Sequence, residues 1–121
     1  MTARESLEGL LEAWRAGDAL RAAAHFAEDG VYREARRGPI RGRAAIVAHF
    51  TRFFRDGPVW QLYVDEIIVE GERAAVAYRF AVKADDGGWR EKGGCAVVRF
   101  SDGSVAEWRE YEEEVPSFDE S

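Results

Sequence analysis

The residues in this sequence with the chemistry for catalysis fall mostly into two strand-spaced pairs, Tyr32 with Glu34 and Trp108 with Glu110. Residues two apart leave the same face of a strand, so each pair sets an aromatic side chain beside a carboxylate. A small-molecule pocket needs that combination of an apolar wall and a few convergent polar groups. His49 adds a titratable ring one helical turn from Ile46 and Phe53, at the edge of an apolar helix face. It can serve there as an acid or base, or it can pack as a hydrogen-bonded core histidine. Arg79 is the single arginine on an otherwise alanine-rich strand face. His25 is expected at the surface. The two histidines form no HxxH or HxH pattern, so a metal site is not implied.

The elements that must position these groups follow from local patterns. Thr2-Ala3-Arg4-Glu5 has capping-box spacing, and Leu7, Leu10, Leu11 and Trp14 recur at helical intervals behind it. Gly17 stops this helix, and Asp18 caps a second one, expected to run through Leu20, Ala23, Ala24 and Ala27 to Asp29-Gly30. Val31 to Ala35 is a short strand, and Arg36-Arg37-Gly38-Pro39-Ile40-Arg41-Gly42 is a loop. A third helix carries Ile46, Phe50, Phe53 and Phe54 on one side and ends at Asp56-Gly57-Pro58. Four long strands follow, over Val59 to Glu70, Arg73 to Ala84, Trp89 to Phe100 and Val105 to about Glu112, separated by Gly- and Asp-rich turns. These elements give an α+β chain with three N-terminal helices against a curved antiparallel sheet. Residues 1–115 are expected to form one domain, with a frayed tail over 116–121.

Composition narrows the function classes. A formal net charge of -6 and the lack of a basic stripe with interleaved aromatics argue against a nucleic-acid partner. The densest basic stretch, Arg33, Arg36, Arg37, Arg41 and Arg43, reads as a solvated loop that can also attract an anionic ligand. One cysteine, Cys95, cannot form an internal disulfide, which fits a reducing cytoplasm. No apolar run approaches membrane-spanning length, so no membrane partner is expected. P-loop, Rossmann and Gly-x-Ser-x-Gly patterns are missing. Of the acidic run Glu110, Glu112, Glu113 and Glu114, only Glu110 and Glu112 share the Trp108 face; the remainder reads as a solvated end.

The face pattern of the second long strand carries a quaternary expectation. Val76, Tyr78, Phe80 and Val82 alternate with Ala75, Ala77, Arg79 and Ala81. If the alanine face lines the inside of the sheet, the bulky face points outward, extended by Cys95 and Val97. A homodimer through Val76, Tyr78, Phe80, Cys95 and Val97 would then cover it.

Several segments in this order resemble the nuclear transport factor 2-like superfamily, in its SnoaL-like, ketosteroid isomerase-like and limonene epoxide hydrolase-like branches. They are Leu11-Glu12-Ala13-Trp14-Arg15-Ala16-Gly17-Asp18, Phe26-Ala27-Glu28-Asp29-Gly30-Val31-Tyr32, Ile40-Arg41-Gly42-Arg43-Ala44-Ala45-Ile46 and Gly103-Ser104-Val105-Ala106-Glu107-Trp108-Arg109-Glu110-Tyr111. The resemblance implies a cystatin-like cone around an internal hydrophobic pocket, commonly in homodimers. Matched to the limonene epoxide hydrolase-like pattern, the arginine falls on Arg79, the last-strand carboxylate on Glu110 and the tyrosine on Tyr32. The second aspartate falls on Ala81 and the asparagine on Glu34. Matched to the ketosteroid isomerase-like pattern, the base falls on Glu34, the tyrosine on Leu10 and the oxyanion aspartate on Ala96. Neither active site is carried over whole.

What remains as a catalytic set is Tyr32, Glu34, Arg79 and Glu110. Trp14, His49, Phe50, Trp60 and Trp108 are expected to touch a small hydrophobic substrate. Two carboxylates flanking an arginine in an apolar cone would have their pKa values pushed apart, so that one works as a base. The chemistry would be isomerase- or hydrolase-type and would imply no cofactor. The other reading is a non-catalytic ligand-binding or dimerisation module, with the same charges forming a buried ion pair in a closed cone.

Overall fold

The structure, a computed structural model, describes residues 1–114, so the expected frayed tail lies outside the described residues. Its elements are α1 (Ala3–Arg15), α2 (Ala19–Ala24), β1 (Phe26–Arg33), β2 (Ile40–Arg41), α3 (Arg43–Asp56), β3 (Trp60–Glu70), β4 (Arg73–Lys83), β5 (Trp89–Ser101) and β6 (Ser104–Glu114). The six strands form one open sheet in the order β2-β1-β6-β5-β4-β3. The three helices and this sheet make the expected α+β cone. The sheet is mixed rather than wholly antiparallel, because β1 runs parallel to β6.

Local chemistry sets the helix starts. Thr2 accepts from the Glu5 amide while the Glu5 carboxylate accepts from the Thr2 amide, so the capping box at α1 is complete. Asp18 caps α2 through the Arg21 amide. That helix ends at Ala24, earlier than its alanine pattern suggests. The chain turns into β1 at Phe26, whose ring is fully buried. Gly30 lets this strand approach its neighbour closely. A Cβ there would fall 2.9 Å from the Val105 carbonyl oxygen and 3.0 Å from that of Ala27. The strand therefore lies close along β6 across a bulge between Phe26 and Val31. Arg43 donates from Nε and Nη2 to the Phe26 carbonyl at 3.0 and 2.9 Å, tying the start of α3 to this bend.

The faces of β4 are the reverse of the sequence expectation. Val76 is fully buried and Tyr78 nearly so, with Phe80 packed behind them against the helices. Val76, Tyr78 and Phe80 therefore cannot form an outward dimer surface. Helices α1 and α3 present Leu7, Leu10, Ile46 and Phe50, and the larger apolar face of the sheet buries more area against them. The alanine face is left outside. Register places Cys95 opposite Ala77 and Val97 opposite Ala75, so these two extend the alanine face and not the bulky one.

Candidate functional site

Parallel pairing of β1 with β6 joins the two sequence pairs. Tyr32 stands directly opposite Trp108, which brings Glu34, just past the end of β1, and Glu110 to the same side of the sheet. They border a cavity of about 220 Å³ between the sheet and the helices, whose walls include Leu10, Trp14, Phe50, Val76 and Phe80. This volume lies somewhat below the ~300–1,000 Å³ common for drug-sized ligands.

Glu110 is the most perturbed carboxyl group in the cavity. Its Oε2 accepts from Trp108 Nε1 at 2.9 Å and from the Tyr32 hydroxyl at 3.3 Å. Both donors meet the same oxygen. Oε1 has no donor among the described residues and is the oxygen on which a proton can reside. Burial pushes this carboxyl up to about 8, and the charges of Glu112 and Glu34 add to the effect. The hydrogen bonds from Trp108 and Tyr32 pull the other way without cancelling it. Glu110 is thus mainly a carboxylic acid at neutral pH. Burial, followed by the charges of Glu110 and Glu34, also raises the Tyr32 phenol, which remains a proton donor throughout the physiological range.

Glu34 has a different environment. Its Oε1 lies 3.1 Å from His49 Nε2 and 3.6 Å from Arg37 Nη1. The Arg37 contact is too long for a hydrogen bond and the His49 contact lacks hydrogen-bonding geometry, so this buried oxygen has basic neighbours but no hydrogen bond. Helix α3 aims His49 here, and the next residue, Phe50, packs edge-on to Tyr32 with ring centroids 5.0 Å apart. The two carboxyl groups consequently have unlike surroundings: Glu110 is held by neutral donors, and Glu34 sits beside two basic side chains.

Trp14, His49, Phe50 and Trp108 border the cavity. Trp60 stands behind its wall, 4.6 Å from Trp14 and 6.3 Å from Phe80 between ring centroids. Arg79 is not in the site. It lies on the outer face, where Nε and Nη2 bind the Asp65 carboxylate at 2.9–3.2 Å and the guanidinium covers the Tyr63 ring. Strand parity is the reason: with Val76, Tyr78 and Phe80 inward, Arg79 and Ala81 must both face out. The Asp–Arg pattern of the hydrolase-like branch therefore has no counterpart in this cavity.

The cavity includes a pair that the sequence reading did not assign to it. The Tyr78 hydroxyl donates to Glu112 Oε2 at 2.7 Å. Gly94, between them in register, lets the phenol lie across β5; a Cβ there would come within 2.6 Å of Tyr78 Cζ and 2.9 Å of Glu112 Cγ. The alternation Trp108, Glu110, Glu112 was the available signal. Among the described residues no group of three His, Cys, Asp or Glu side chains converges as metal ligands do, and no helix is long and apolar enough to cross a membrane.

A family model described as a SnoaL-like domain matches residues 7–108. No curated protein matches the chain by sequence. Among solved structures, an LEH-like epoxide hydrolase from M. tuberculosis superposes with a TM-score of 0.79 at 21% identity, covering 92% of this chain and 82% of the other. SalBIII, an epoxide hydrolase/cyclase-like enzyme described in pyran ring formation of the polyether salinomycin, gives 0.79 at 14% identity, with 92% and 90% covered. Bal32a, from a soil-derived mobile gene cassette, gives 0.77 at 23% identity, with 91% and 88% covered. At these identities the structures share the fold with this chain.

Proposed function

This chain belongs to the SnoaL-like domain family, and on that premise we propose that its cavity performs acid–base chemistry on a small hydrophobic molecule. Members of the family fold include epoxide hydrolases and cyclases. The observation that supports the proposal is the unlike setting of two carboxyl groups at one cavity: Glu110, buried and pushed up to about 8, would be the acid, and Glu34, 3.1 Å from His49, would be the base. Concerted proton transfer requires one group that gives a proton and another that takes one at the same cavity.

In this mechanism the substrate's apolar body lies against Phe50, Phe80 and Trp108. Glu110 gives its proton to an oxygen of the substrate, an epoxide or carbonyl oxygen, and becomes a carboxylate stabilised by Trp108 and Tyr32. Glu34 takes a proton from a carbon or from an attacking water. One proton enters and one leaves, so isomerisation and epoxide opening both balance. Arg79 takes no part.

The test uses aryl and terpene epoxides, followed by diol formation, and hydrophobic enolisable ketones, followed by deuterium uptake from D2O. Turnover is expected with at least one class. Glu34→Gln and Glu110→Gln should each lower it by on the order of 10²-fold or more. Unchanged turnover in both variants, or no turnover across the panel, overturns the proposal.

A second copy of the chain is proposed to cover the outer sheet face. There Ile68 and Tyr111 are more than half exposed, Val97 is exposed, and Ala75, Ala77 and Cys95 leave the centre flat. Light scattering should report a dimer that Val97→Lys weakens; a wild-type monomer at micromolar concentration contradicts this. A single thiol without a disulfide partner supports a cytoplasmic setting.

A further inference from the structure

The basic loop noted in the sequence has a definite position in the fold. Arg37 borders the main cavity, and it also borders a second depression of about 210 Å³ together with His49, Arg52 and Phe53. The two hollows share Arg37, His49 and Phe53, so these three side chains stand between the inner cavity and the outer depression. The chemistry of the two hollows differs. The inner cavity is aromatic and carries its carboxyl groups, whereas the outer rim has two guanidinium groups.

The charges on the outer rim do not cancel. Asp56 is its one carboxylate, and Arg55 holds it through Nε and Nη2 at 3.1 and 3.0 Å. Arg52 makes no ion pair among the described residues, although its charge reaches Asp56. Arg37 is mostly exposed and touches Glu34 only at 3.6 Å, an arrangement that leaves its remaining donors pointing to solvent or ligand. Two underused arginines thus stand together at the cavity mouth of a chain whose net charge is -6. Guanidinium forks are the donors best matched to a carboxylate.

We infer that the cavity takes an amphipathic carboxylate, its apolar body inside against the aromatic wall and its carboxylate held at the mouth by Arg37 and Arg52. This rests on the reading of the cavity as a substrate site and names the class of molecule that enters it. The reacting part of such a molecule would be the inserted end, near Glu110. The carboxylate would fix its depth and orientation without joining the chemistry. Lys92 also borders the inner cavity and is the competing cation, so the test must separate it from the mouth.

Isothermal titration calorimetry with decanoate, decanol and decylamine separates these possibilities, because the three probes share a chain and differ in head-group charge. Decanoate is expected to bind on the order of tenfold more tightly than decanol at low salt, with decylamine weakest. The advantage should shrink as ionic strength rises. Arg37→Gln with Arg52→Gln should remove it while leaving decanol affinity unchanged, whereas Lys92→Gln should leave it in place. Equal binding of decanoate and decanol overturns the carboxylate assignment but leaves the cavity and its acid–base reading intact. Loss of the preference in Lys92→Gln alone also overturns the assignment to the mouth. Failure of all three probes to bind contradicts both readings.

Discussion

Replacing Glu110 with Gln should stabilise the protein, and more strongly as pH rises. The wild-type carboxyl titrates near 4.5 in the unfolded chain and is pushed up to about 8 by burial in the fold. Between those values the folded state binds a proton that the unfolded state has lost, so the wild type loses stability with increasing pH. The slope is about 1.4 kcal/mol per pH unit, and the whole shift amounts to at most about 5 kcal/mol. Below pH 4.5 both states are protonated and this contribution is constant. Gln keeps the length and a carbonyl oxygen that still accepts from Trp108 and Tyr32, and it has no charge to bury. Thermal unfolding from pH 5 to 8, followed by circular dichroism, should give two diverging curves. At pH 5 the Tm values lie close together. By pH 8 the variant should be higher by on the order of 10 °C, given a few degrees per kcal/mol for a domain of this size. Comparison with the variant removes the contribution of every other titrating group. Parallel curves would refute the reasoning, since they would mean that Glu110 is not held protonated.

Other substitutions test separate links. Tyr32→Phe removes a donor that lowers the Glu110 pKa, so the alkaline limb of any activity profile should move to higher pH; a move to lower pH contradicts the assigned hydrogen bond. Gly94→Ala should displace the Tyr78 phenol from Glu112 and cost about 1–3 kcal/mol by overpacking, read from urea unfolding, whereas the opposite sign would mean that β5 has room there. Arg79→Ala should leave ligand affinity and turnover at wild-type levels because the side chain lies outside the cavity, and loss of either would return Arg79 to the site.

Much of the site was legible because strand parity is a strong local rule. Tyr32 with Glu34 and Trp108 with Glu110 could be paired by spacing alone, and helical spacing brought His49 to an apolar edge. Parity does not say which face is inside. That choice depends on what the helices offer to bury, and it decided Val76, Tyr78 and Phe80 against Arg79 and Ala81 together. The contact of Tyr78 with Glu112 across Gly94 joins three strands, and no local window contains it. The start of β1 was hidden for another reason. Ala22, Ala23 and Ala24 favour helix, and the pairing that pulls Phe26 into the sheet comes from Val105, 79 positions later in the chain.

The account depends on Glu110 being a carboxylic acid at neutral pH beside an unlike second carboxyl group. Site-resolved carbon-13 NMR titration of the glutamate carboxyl groups, assigned with Glu110→Gln, measures this directly. A midpoint near 8 for Glu110, at a pH where surface glutamates are already ionised, is the expected result. A midpoint near 4.5 would contradict the account, because Glu110 would then be an anion at neutral pH and could not be the acid of the cavity.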